Sequence, residues 1–188
     1  MMRKNTKGIS YVELVIVMGI LAALIGISSI SFSAAWRARA SKAANSVDAL
    51  LSQSKVYALS GDDNCLQVAY HGKDTARGYT ESGYYAEMFK ATQSDSGDYT
   101  LSLSSPIKSE VIGNDRLNIK FGDVDIEKDK AIRVVFNGKT GAVVLAGTAV
   151  TSTTDLPASA ADKSQIYFHF GNTYCINLWK LTGEHNIT

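Results

Sequence analysis

The sequence predicts an α+β protein, one long amino-terminal helix followed by an antiparallel β-rich domain. Three observations carry that prediction. Glu13 is the only charge in an otherwise apolar run from Ile9 to Phe32; apolar residues then recur at spacings of three and four as far as Ala58; and beyond Asn64 the period shortens to two.

The helix is expected to be continuous, because no proline interrupts Ile9 to Ser60 and Gly61-Asp62-Asp63-Asn64 supplies a stop. Trp36, Ala40, Ala43, Ala44, Val47, Leu50, Leu51, Ser54 and Ala58 fall on one face, with Arg39, Lys42, Asn45, Ser46, Ser52 and Gln53 largely opposite. At 1.5 Å per residue such a rod would be roughly 75 Å long. A bilayer of about 30 Å cannot contain it, so its outer half, about Ala40 to Leu59, is expected to lie across one face of an antiparallel sheet. Gly26 is the expected point of any local unwinding.

Strands follow in order. Leu66, Val68 and Tyr70 alternate with Cys65, Gln67 and Ala69, as do Tyr99, Leu101 and Leu103, and Leu117, Ile119 and Phe121. Ile132 to Phe136 and Ala142 to Leu145 flank Asn137-Gly138-Lys139-Thr140-Gly141, a hairpin signal. Gln165 to Phe170 and Tyr174 to Trp179 form a second hairpin around Gly171-Asn172. The Ala-, Ser- and Thr-rich stretch from Gly147 to Ser164, with Pro157, reads as a loop. Tyr79, Tyr84, Tyr85, Met88 and Phe89 face a core from either a short helix or strands.

The amino terminus carries the sharpest motif. Arg3, Lys4 and Lys7 precede Gly8, and Glu13 follows that glycine by five residues. A carboxylate near the start of a membrane-length helix costs roughly 2.5 to 3.5 kcal/mol on insertion scales, a cost that neither an ordinary secretory signal nor a plain single-span anchor explains. Leader charge, Gly8, spacing, Glu13 and apolar run together resemble the type III signal of type IV pilins and pseudopilins. Ile9 at the cut and Tyr11-Val12 before the Glu are conservative departures from the family pattern. Ser46 to Tyr70, with Tyr174-Cys175-Ile176-Asn177-Leu178 and Leu181-Thr182-Gly183-Glu184, resembles the H-type minor pseudopilins and related minor pilins.

The resemblance implies a pilin fold, its long hydrophobic helix packed by the outer half on an antiparallel β-sheet head. It divides the chain into a leader (1–8), a helix (9–60, with 9–32 as transmembrane segment and filament core and 33–60 amphipathic) and an extracytoplasmic head (61–188). It further implies cleavage by a prepilin peptidase between Gly8 and Ile9, methylation of the Ile9 amine, and pairing of Glu13 with that amine on a neighbouring subunit. Implied partners are other pilin or pseudopilin subunits, an inner-membrane assembly platform, and membrane lipid before assembly. The implied location is the bacterial cytoplasmic membrane, single-pass with the head outside, and then the filament. The positive-inside count is nearly tied, Arg37, Arg39 and Lys42 facing the leader's three cations, so orientation rests on the resemblance. For an exported head, one disulfide between Cys65 and Cys175 is the natural reading, with a pair of buried thiols as the alternative. Such a bridge would contribute roughly 4 to 5 kcal/mol in the chain-entropy picture.

Composition narrows the function classes. The formal charge of +1 becomes −2 once the three leader cations are removed, and no basic stripe marks a nucleic-acid interface, so DNA binding is unsupported. His71, His169 and His185 read as turn, strand and tail residues rather than general bases, so no enzyme is expected. Asp62-Asp63-Asn64 and Asp123-Val124-Asp125 are incomplete calcium-loop fragments, and the cysteines and histidines show no ligand spacing, so no metal or cofactor is expected. The reading is a prepilin-like structural subunit, minor rather than major, of a type IV pilus or a secretion or competence pseudopilus. The competing classes are a single-span anchored receptor or adhesin that never polymerises and, second, an exported enzyme, for which nothing in the sequence asks.

Overall fold

A computed structural model describes residues 10–157, 160–170, 172–180 and 182–188, without the side chains of 26–34 and 36. The chain divides into two compact units, Met1–Trp36 and Arg37–Thr188. Helix α1 runs through Tyr11–Leu59. It stops where Ser60 and Gly61 donate to the carbonyls of Val56 and Ala58 and Gly61 turns to φ +103°, a conformation that only glycine adopts cheaply.

Eleven strands follow among the described residues: β1 Asn64–His71, β2 Gly83–Gln93, β3 Tyr99–Leu101, β4 Lys108–Gly113, β5 Asn118–Phe121, β6 Val124–Asp125, β7 Lys130–Phe136, β8 Val143–Val150, β9 Lys163–Phe170, β10 Asn172–Trp179 and β11 His185–Ile187. They form two sheets. The first has the order β3-β2-β1-β7-β8, with β4 also on β2, and the second β11-β10-β9-β5-β6. Every pairing is antiparallel. Tyr79 lies after a short 3-10 turn at Thr75–Arg77, and Tyr84, Tyr85, Met88 and Phe89 lie on β2.

Alternation along β1 explains how one strand serves two clusters. Leu66 and Val68 join Ala40, Ala43, Ala44, Val47, Leu50, Leu51 and Ala58 of α1, together with Ile119, Ile166, Phe168, Ile176 and Leu178 of the second sheet, in the main core. Cys65 faces the other way and packs with Phe89, Ala91, Leu101 and Val135. Full burial of each large aliphatic side chain contributes about 1.5 to 3 kcal/mol, which is why the alanine-rich face of α1 is fixed against strands of both sheets. The hairpin between β7 and β8 is held by its own asparagine: Asn137 Oδ1 accepts from the Lys139 and Thr140 amides at 2.9 and 3.1 Å.

Two expectations are corrected here. The pilin fold, an α+β arrangement with a hydrophobic helix on one sheet, is replaced by a structure in which strands predominate and two sheets share the core. Among the described residues no helix is long and apolar enough to cross a membrane. The expected transmembrane segment, and with it the single-pass location in the cytoplasmic membrane, therefore lacks its structural basis.

Candidate functional site

Gly8 and Ile9, where cleavage and methylation are expected, lie outside the described residues, as does Leu181, whereas α1 stays helical through Gly26, so the local unwinding expected there is not seen. Glu13 sits in the first turn of α1, and the backbone N–H of Ser10 donates to its Oε2 at 3.4 Å. That is one half of a capping box, Ser10-x-x-Glu13, in which the acid closes an otherwise unpaired donor at the helix start. The carboxylate also complements the positive end of the helix dipole. Along this stretch the apolar side chains are exposed around the helix: Tyr11 is 80% exposed, Leu14 45% and Ile25 70%, with Val12, Val15, Ile16, Val17, Met18, Ile20 and Leu21 between. A helix apolar all round is normally covered all round.

A second constellation lies on the outer face of the first sheet. Across β2, β1 and β7 the register sets Glu87 beside Gln67 and Gln67 beside Arg133. Glu87 and Arg133 are both fully buried. Glu87 takes hydrogen bonds from His71 Nε2 at 2.9 Å, the Tyr79 hydroxyl at 3.0 Å and the Ser109 hydroxyl at 3.2 Å. The His71 and Tyr79 rings stack at 4.0 Å, with Tyr85 edge-on to both. Burial, then the charge of Glu87, drives the Tyr79 phenol upward. Arg133 donates to Gln67 Oε1 at 2.8 Å and to the carbonyls of Asp155 and Thr151, so it pins the loop after β8. An isolated ion here would cost several kcal/mol, and each charge is held by convergent dipoles instead.

A third feature imitates a catalytic triad without its wiring. His185 Nε2 lies 3.1 Å from Ser52 Oγ and 3.5 Å from Asp48 Oδ1 at one edge of a cavity of about 870 Å³. A serine–histidine–acid relay needs opposite ring nitrogens for hydroxyl and carboxylate, whereas here both meet the same one. His169 bonds Thr173, Asp125 pairs with Lys120 at 3.2 Å, and Asp62 lies 3.9 Å from Lys90. Lys120 holds the Asp125 carboxyl below its usual range. No three His, Cys, Asp or Glu among the described residues converge as a metal set.

The expected disulfide is not formed: Cys65 and Cys175 are free and buried. Cys65 belongs to the outer cluster of the first sheet, while Cys175 lies on β10 of the second, within reach of Gln165 Nε2 at 3.7 Å. Burial pushes the Cys65 thiol up to about 12, against a lowering pull from Arg133, and burial raises Cys175 as well. Thiolate is the reactive form, so iodoacetamide at pH 8 should leave Cys65 of the native protein unmodified for hours while the unfolded chain reacts at both positions. Rapid native alkylation of Cys65 would contradict its burial. The sign for stability follows. A thiol raised above its unfolded value adds stability that is whole below about pH 9 and is lost as pH climbs toward 12, so melting temperatures should fall across that window.

No family model matches the chain, and neither a curated protein nor a solved structure matches it.

Proposed function

We propose that this chain is a prepilin-like structural subunit, cleaved after Gly8 and assembled into a filament through its amino-terminal helix. One observation carries the reading: the described helix from Tyr11 to Ile25 exposes apolar side chains on every side and holds a single charge, Glu13. One neighbour covers one stripe of a helix, so covering all sides takes several, and the same segment of further copies supplies identical apolar surfaces in parallel. A carboxylate drawn into such a bundle needs a counter-charge, and a freed amine at Ile9 provides one on the adjacent copy.

The test is mass spectrometry of assembled material from cells that carry a prepilin peptidase. The expected product begins at Ile9 with a methylated amine and is found in filaments. Chains that keep Met1, or that begin at Ile9 yet never enter a filament, would overturn the reading.

A further inference from the structure

A cavity of about 550 Å³ opens above the buried Gln67–Glu87 pair, under the segment before β4 and the loop after β8. We propose that it binds a neutral polyhydroxylated ligand, a saccharide unit. The argument starts from charge. Only two charged side chains line the cavity: Glu87, fully buried and occupied by three donors, and Arg77, already 3.7 Å from Asp74. Glu87 therefore offers a cation no open oxygen, and the one cation, Arg77, lies largely exposed at the rim in a loose surface pair with Asp74.

What remains accessible is hydroxyl, imidazole and aromatic ring. Ser104, Ser105 and Ser152 line the walls and are exposed. His71 donates its Nε2–H to Glu87, and in that tautomer of the uncharged ring Nδ1 is an acceptor. Its ring is locked against Tyr79, so the acceptor is held in place. Sugar hydroxyls both donate and accept, and match serine hydroxyls and one fixed imidazole nitrogen better than a metal, a phosphate or a purely apolar molecule does. Glu87 acts as a positioning group, keeping His71 and Tyr79 aligned at the cavity wall.

The experiment uses the full chain in a sugar-free zwitterionic detergent, titrated with maltose, cellobiose, lactose and chitobiose, with spermidine and inorganic phosphate as charged probes. The readout is the imidazole nitrogen resonances of the three histidines. At least one disaccharide should move His71 with a Kd in the millimolar range while His169 and His185 stay put, and the Ser104→Ala/Ser105→Ala variant, altered only at exposed positions, should bind it about tenfold more weakly. The proposal fails if no sugar in the panel binds, if the shifts fall on His185 instead, if the double serine variant binds unchanged, or if a charged probe occupies the site more tightly than any sugar.

Discussion

Glu13→Gln should leave the start of α1 intact and abolish filament assembly. The two candidate roles of this side chain make opposite demands. As the closing half of a capping box it needs an oxygen facing the Ser10 amide, which glutamine supplies equally well. As the partner of an amine on a neighbouring copy it needs a negative charge, which glutamine lacks. The filament-to-unassembled ratio for Glu13→Gln should therefore fall by at least about tenfold, the size expected when one side of a desolvated ion pair is lost. Helicity by circular dichroism should not change. Glu13→Val removes both roles and should add a fraying cost of about 1 kcal/mol to the same assembly defect. Normal assembly of Glu13→Gln would reduce Glu13 to a helix cap.

Arg133→Met should be the most destabilising substitution in the polar row. Methionine keeps much of the volume but leaves Gln67 Oε1 and the carbonyls of Thr151 and Asp155 without their donor. Orphaned buried acceptors cost about 1 to 3 kcal/mol each, partly recovered as the loop relaxes to water, so a net loss of about 2 to 4 kcal/mol is expected. For a domain of this size that lowers the melting temperature by roughly 5 to 15 °C. Proteolytic cutting should appear first in the stretch between Thr151 and Asp155. Adding Gln67→Leu should recover part of the loss, because removing both partners of a buried hydrogen bond costs less than removing one. An unchanged melting temperature in the single variant would mean that the guanidinium is not the pin described above.

The local elements were legible because their signals are local. Alternation over Cys65–Tyr70 and Gln165–Phe170 needs only neighbouring residues, and Asn137-Gly138 forms its turn from its own side chain. The division into two sheets was not legible. It depends on β5 choosing β9 while β4 chooses β2, choices fixed by packing partners some fifty residues apart or by a shifted register at Tyr84. The polar row was missed for a related reason. Gln67, Glu87 and Arg133 occupy the positions that an alternating strand normally turns to water, and only the loops folded over them make them interior. Their one sequence trace is the company they keep, Cys65, Ala69 and Val135 being poor choices for a wet face. The same face explains the missing disulfide, since Cys65 is turned into the outer cluster of the first sheet while Cys175 belongs to the second. At the amino terminus, Ser10-x-x-Glu13 is written in the sequence as an ordinary helix cap, and it overlaps the residues of the processing motif.

The shared core also sets the order in which this chain can acquire its structure. Asp48 and Ser52 meet His185 across more than a hundred intervening residues, and the alanine face of α1 is sealed in part by β9 and β10. Closing loops that long is entropically slow, so the helix must wait, with its inner face bare, until the last hairpin arrives. During that interval two different apolar surfaces of the same helix are open to misassociation, the inner face that the chain's own sheets later cover and the exposed stretch from Tyr11 to Ile25. Efficient folding therefore depends on sealing the first before the second is engaged.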